Sequence, residues 1–123
     1  YKNALRLRPD YASAYDRLAQ RYLQMKKFSE AIQAYKELAM LKPGGANAQN
    51  SLGEAYAAAA KNEEATETFR QAIRLKPDFG KAYYNLGKIL LASGARDAAI
   101  EQYVILQGLD EDWAEKLHNL IYP

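Results

Sequence analysis

The chain has 123 residues, of which 49% are hydrophobic and 26% charged, with a formal net charge of +2 and no cysteine. This balance is that of one ordinary globular domain, and the lack of cysteine excludes disulfides, thiolate zinc sites and cysteine nucleophiles. No stretch approaches the roughly 18 apolar residues that a membrane-spanning helix needs, so no membrane insertion is expected. A cysteine-free chain suits reducing and oxidising compartments alike, so the localisation stays open.

A repeat with a period of 34 residues runs through the whole sequence. Shifting the chain by one period superposes leucine on leucine, alanine on alanine and proline on proline. Within each period, apolar residues recur at steps of three and four, which predicts two amphipathic helices and therefore a helical hairpin. The superposed residues are Leu18, Leu52, Leu86 and Leu120; Ala31, Ala65 and Ala99; and Pro9, Pro43 and Pro77.

The predicted elements follow one another in chain order. Residues 1–9 are interpreted as the second helix of a preceding repeat whose first helix is missing, so upstream repeats are expected. Complete repeats follow over residues 12–45, 46–79 and 80–113. Residues 112–122 are interpreted as a C-terminal capping helix that terminates the array.

In the capping helix, Leu117, Leu120 and Ile121 are expected to face inward, while Glu115 and Lys116 face water. In the repeats before it, Gly53 and Gly87 of the first helices have almost no side chain. Such small residues predict a close crossing of helices, which stacking of the hairpins then buries.

Proline and capping residues predict where the helices end and begin. Proline lacks the N–H for the next helical hydrogen bond and clashes with the preceding turn, so Pro77 and its equivalents end each second helix. Ser29 or Asn62 can cap a second helix, because each has a short polar side chain near the break. The predicted N-caps of the first helices are Asp10, Asp78 and Asp112.

The pattern Y-x-x-L-G, then A-x-x-x-F/Y, then P resembles the tetratricopeptide repeat family over essentially the whole chain. Its clearest first-helix signatures run from Tyr15 to Ala19 and from Tyr83 to Gly87, whereas Gln49 stands where an aromatic residue is usual. The resemblance implies an all-α fold, a right-handed superhelical solenoid of antiparallel helix hairpins. It also implies that the first helices line a concave groove.

In that family, first-helix side chains that leave the packing columns project into the groove and bind a peptide segment of a partner protein. Asparagine and glutamine suit this role, because each offers a donor and an acceptor to the backbone of an extended peptide. The peptide-binding residues expected here are Arg17, Gln20, Asn47, Asn50, Glu54, Lys81, Tyr84, Asn85, Lys88 and Asn119.

Two subtypes of the family offer more specific ligands. Co-chaperone domains clamp the C-terminal carboxylate of heat-shock chaperones with Lys, Asn, Asn, Lys and Arg. Only Lys81 fits that set, and Asp16 would repel a carboxylate, so a different ligand is expected. O-linked N-acetylglucosamine transferase holds peptide backbones with a ladder of asparagines, which this chain matches in half. The clamp positions are Asp16, Gln20, Ser51, Lys81 and Asn85, and the ladder positions are Arg17, Ser51, Asn85 and Asn119.

Enzymatic chemistry is not expected, because the sequence contains a single histidine and no recognisable nucleophile, phosphate-binding or zinc-binding motif. Glu115 and His118 share one helix face, but a di-iron site needs a second such pair and further carboxylates. No cofactor or metal is therefore predicted. Nucleic acid is not an expected partner either, because helical geometry scatters the basic residues near the N-terminus.

The leading interpretation is a non-enzymatic scaffold for protein–protein interaction. Two alternatives remain open at this point. The chain could be the regulatory or substrate-recruiting part of a larger enzyme. It could also be a self-assembly module, in which the unpaired helix of residues 1–9 or the convex face docks onto another copy.

Overall fold

The computed structural model describes residues 11–41 and 45–123. Over these ranges the chain forms helices and no strand. The expected helix over residues 1–9, together with Pro9, Asp10 and Pro43, lies outside the described residues. The helices are α1 (Tyr11–Gln24), α2 (Phe28–Leu41), α3 (Ala46–Ala58), α4 (Asn62–Leu75), α5 (Gly80–Ala92), α6 (Arg96–Leu109) and α7 (Glu111–Ile121).

Consecutive helices pack as hairpins, and the hairpins stack. Helix α1 packs on α2, α3 on α4 and α5 on α6, while α2 meets α3 and α4 meets α5 between hairpins. Helix α7 packs on both α5 and α6. The expectation of an all-α solenoid of helical hairpins is thereby confirmed. None of the helices described is long and apolar enough to cross a membrane.

The turn inside each hairpin has the same backbone conformation. Lys26, Ala60 and Gly94 lie one period apart and have positive φ angles of 59°, 61° and 83°. After the third turn, the Ala95 N–H donates to the Leu90 carbonyl at 2.8 Å, as in a Schellman motif. Only glycine adopts this conformation without strain, so the first two turns each carry a cost of about 1 kcal/mol.

The predicted N-caps of α5 and α7 are wrong. Helix α5 begins after Phe79, so Asp78 does not adjoin it. Asp110 caps α7 by accepting hydrogen bonds from the N–H groups of Asp112, at 3.1 Å, and Trp113, at 3.4 Å. The shift arises because a single residue separates α6 from α7, so α7 begins before the position that the 34-residue period predicts for its cap.

The proposed caps of the second helices are also wrong. Ser29 lies inside α2, and Asn62 is the first residue of α4. Lys61 occupies the N-cap position of α4 and makes no side-chain capping bond. By contrast, Pro77 follows the end of α4, as expected from its missing N–H.

Close helix crossings occur at both first-helix glycines. A Cβ atom on Gly53 would lie 2.5 Å from Cε1 of Phe69, whose side chain is almost fully buried. A Cβ atom on Gly87 would lie 2.7 Å from Cδ2 of Leu117. The first contact joins the two helices of one hairpin, and the second joins α5 to α7.

The buried face of α7 differs from the expected one. Leu117 and Ile121 are buried as expected, but Leu120 is 42% exposed. In α5, the equivalent Leu86 belongs to a buried cluster that includes Ala99 of α6. Helix α7 has no following second helix in the described part of the chain, so nothing there covers Leu120.

Candidate functional site

Asn85 of α5 connects two successive first helices. Its Nδ2 atom donates to Oδ1 of Asn50 at 3.0 Å and to Oε2 of Glu54 at 3.1 Å, both on α3. The Nζ atom of Lys81 lies 3.8 Å from the same Glu54 oxygen. We call Asn50, Glu54, Lys81 and Asn85 the central network. All four were expected from the sequence to line the groove, and the structure brings them together.

Asn50 differs from the other members of the network because it is only 3% exposed. Its side chain therefore holds Asn85 in place more than it presents a surface to solvent. Asn85 is half-buried and uses both amide hydrogens within the network. Its Oδ1 atom accepts no hydrogen bond from the described residues, so it stays available as an acceptor.

The remaining polar residues of the expected groove are solvent-exposed, and no hydrogen bond or ion pair joins them to the central network in the described structure. Gln20 donates to Oδ2 of Asp16 one turn away, at 3.1 Å. Lys88 has no carboxylate within ion-pairing distance among the residues described. These exposed groove residues are Arg17, Gln20, Asn47, Lys88 and Asn119.

Tyr84 belongs to an aromatic pair between α5 and α7. Its ring centroid lies 5.0 Å from that of Trp113, with the two planes tilted by 41°. The Lys116 ammonium lies 4.4 Å from the Trp113 centroid. A Cβ atom on Gly80 would lie 3.0 Å from Trp113, so the indole packs directly on the start of α5.

Sequence reasoning missed Trp113, which lies one period after Phe79 and outside the groove positions that the resemblance implies. Its signal was composition, because Trp113 is the single tryptophan of the chain. A tryptophan in the first turn of a helix suits an anchor, since it buries a large area while keeping its N–H near solvent.

Negative charge surrounds Tyr35 at the N-terminal side of the site. Burial, together with the negative charges of Asp16 and Glu54, raises the pKa of Tyr35 to about 12. Those carboxylates come from α1 and α3. Both helices therefore bring a carboxylate near this phenol, and negative charge of this kind disfavours a bound carboxylate.

His118 packs near two tyrosine rings. It is half-buried, with its ring centroid 5.5 Å from Tyr103 and 5.0 Å from Tyr122. Glu115, one turn away, is exposed. Within the described ranges, no group of three His, Asp or Glu side chains is arranged to hold a metal ion.

Comparison with protein families gives two kinds of match. A model described as "Tetratricopeptide repeat" matches residues 12–44 and 80–111. A second model, described as "TPR repeat", matches residues 61–94. None of the curated protein sequences compared with the chain is significantly similar to it.

Solved structures with the same architecture cover nearly all of the chain. The TPR2B domain of yeast Sti1, in its pHsp70 complex, is 22% identical with a TM-score of 0.83, over 90% of this chain and 93% of that one. The second TPR domain of human RPAP3, bound to an HSP70 peptide, is 20% identical with a TM-score of 0.80, over 94% of this chain and 99% of that one. The Sgt2 TPR domain of Aspergillus fumigatus is 20% identical with a TM-score of 0.78, over 89% of this chain and 76% of that one. At these sequence identities, the similarity shows only that the chain shares the fold of these domains.

Proposed function

Because the chain belongs to the tetratricopeptide repeat family, we propose that it is a non-enzymatic scaffold that binds a peptide segment of a partner protein. The segment lies in the groove formed by the first helices α1, α3 and α5 and by α7. The observation that carries this proposal is the central network, in which Asn85 crosses from one hairpin to the next. A fixed amide on the groove surface suits the backbone of an extended peptide.

The central network reduces the entropic cost of binding. Two hydrogen bonds hold Asn85 in one rotamer, so little side-chain freedom is lost when its Oδ1 atom accepts a peptide N–H. The ion pair between Lys81 and Glu54 is long and exposed, and such pairs contribute only about 0–1 kcal/mol. Lys81 is therefore free to turn toward a partner.

Related folds support a peptide as the ligand. The Sti1 domain and the human RPAP3 domain were solved with an Hsp70 ligand. We propose a different ligand for this chain, because Asp16 and Glu54 place negative potential beside α1 and α3. Lys81 is the one position that matches the carboxylate clamp, and it lies 3.8 Å from Glu54. An internal segment that offers its backbone and lacks a terminal carboxylate fits this surface better.

A peptide library tests the groove. Random 12-residue peptides displayed on phage are selected against the chain, and enriched peptides are measured by fluorescence anisotropy. The double variant Asn85→Ala with Lys88→Glu removes the bridging amide and reverses a free charge. We expect Kd to rise at least about tenfold, since each polar contact contributes about 1 kcal/mol.

The matched control is Arg70→Glu with Gln71→Ala, which makes the same kinds of change on the second helix α4. The control should bind as the parent does, and circular dichroism should show the same helix content in all three proteins. Equal binding by the parent and the Asn85 and Lys88 double variant would exclude this groove. The peptide SGPTIEEVD, which human RPAP3 binds, should not bind, and tight binding would overturn the choice of ligand.

A further inference from the structure

An open cleft lies between α6 and α7, away from the central network. Its volume is about 420 Å³, which lies within the range of sites that bind small ligands. Its walls come from the C-terminal half of α6 and from one face of α7. The lining residues are Tyr103, Gln107, Glu111, Ala114, Glu115 and His118.

Two lining residues of the cleft, Tyr103 and His118, belong to an ordered set of rings. The imidazole of His118 lies between the rings of Tyr103 and Tyr122. Gln107 fixes the first ring by donating from Nε2 to the Tyr103 hydroxyl at 2.8 Å. Arg96 supports the second, with its guanidinium 5.0 Å from the Tyr122 centroid. These rings therefore hold their positions before any ligand arrives.

The α7 side of the cleft is acidic. Glu111 and Glu115 are one turn apart on α7, both exposed, and neither forms an ion pair with a described residue. The nearest cation in sequence, Lys116, lies over the Trp113 ring instead. Residues 96–123 as a whole contain six Asp or Glu, one Arg and one Lys. This end of the solenoid therefore attracts positive charge over a distance.

We propose that the cleft binds the arginine side chain of a basic segment of a partner protein. A guanidinium is planar, so it can stack on Tyr103 or His118 while its N–H groups donate to Glu111 and Glu115. Lysine fits less well, because its compact ammonium cannot stack and bridge two carboxylates together. This site does not depend on the groove, since it shares no residue with the central network.

The test uses two fluorescent 12-residue peptides with the 123-residue chain. The first alternates arginine and serine, and the second replaces each arginine with citrulline, which has nearly the same shape but no charge. Anisotropy should show binding of the arginine peptide only, weakening as salt is raised. In the ¹⁵N-labelled chain, the largest amide shifts should fall on Gln107, Glu111, Glu115 and His118.

The decisive variant is Glu111→Gln with Glu115→Gln, for which we expect Kd for the arginine peptide to rise about tenfold or more. The matched control, Glu63→Gln with Glu64→Gln, removes the same charge from an exposed turn of α4 and should change Kd less than about twofold. Tyr103→Leu, which keeps the wall apolar but removes the ring, should weaken the arginine peptide more than a lysine peptide.

Three results would overturn this assignment. Equal loss in the cleft variant and in the control would show binding to overall charge only. Shifts centred on Asp16 and Glu54 would place the peptide in the groove. Sedimentation in which the chain self-associates, and in which the cleft variant becomes monomeric, would make a second copy the occupant. The groove variant of Asn85 and Lys88 should bind the arginine peptide normally, so the experiments can refute one proposed site without refuting the other.

Discussion

Replacing Gly53 with alanine tests how closely α3 and α4 approach each other. The added methyl group would lie 2.5 Å from Cε1 and 2.7 Å from Cδ1 of Phe69. Phe69 is only 1% exposed, so its ring has little room to move away. Overpacking of this kind costs about 1–3 kcal/mol, and the better helix propensity of alanine returns about 1 kcal/mol. The expected net destabilisation is about 0–2 kcal/mol.

Gly108→Ala is the matched control, because it makes the same substitution inside a helix. A Cβ atom there has no neighbour within 4 Å, so only the gain in helix propensity remains. That variant should be about 0.5–1 kcal/mol more stable than the parent. Gly87→Ala should fall between the two, since its methyl group would meet the flexible end of Leu117.

Urea unfolding followed by circular dichroism at 222 nm measures the series. The urea midpoint should rise in the order Gly53→Ala, Gly87→Ala, parent, Gly108→Ala. If Gly53→Ala proved as stable as Gly108→Ala, the close crossing of α3 and α4 would be refuted. The larger change Gly87→Leu should cost about 1–3 kcal/mol or more, because the whole side chain must enter the contact between α5 and α7.

Three further substitutions, the first with a matched control, test the ends of α7 and the buried phenol. Asp110→Ala should cost about 1 kcal/mol in urea unfolding, and Asp112→Ala clearly less, because only the first removes the N-cap. Arg96→Leu removes the 2.8 Å hydrogen bond to the Ile121 carbonyl, so amide exchange in the last turn of α7 should become about fivefold faster or more. Tyr35 has a pKa raised to about 12, so the unfolded chain loses this proton first and stability falls between pH 10 and 12. Tyr35→Phe should make that decline shallower, and an unchanged slope would contradict the assignment.

The fold could be predicted from the sequence because the same hairpin pattern recurs in each period of 34 residues. Each hairpin needs small, large and turn residues at the same positions, so equivalent positions in successive repeats indicate the same structure several times. The left-handed turn residues Lys26, Ala60 and Gly94 show this well, since glycine at one of them marks the conformation of all three. The repeat boundaries at residues 12–45, 46–79 and 80–113 remain predictions.

The wrong predictions concern residues whose surroundings depend on a neighbouring helix or loop that differs between repeats. Leu120 occupies a leucine column, but its burial depends on a second helix that α7 does not have among the described residues. Asp110 caps α7 because the link after α6 is one residue long, and loop length is not a property of the column. The place of Asn50 in the groove stays a prediction, and its low exposure and its hydrogen bond from Asn85 involve the next hairpin, which its own column does not report.

The two proposed sites together constrain the partner. Lys81 and Lys88 place positive charge on α5, and Glu111 and Glu115 place negative charge on α7, which packs directly on α5. Packed helices lie about 8–10 Å apart, and an extended chain advances about 3.3 Å per residue. A segment that occupies both sites must therefore carry an acidic or amide-rich stretch and an arginine at least three residues from it. The partner segment should therefore carry negative charge opposite α5 and positive charge opposite α7.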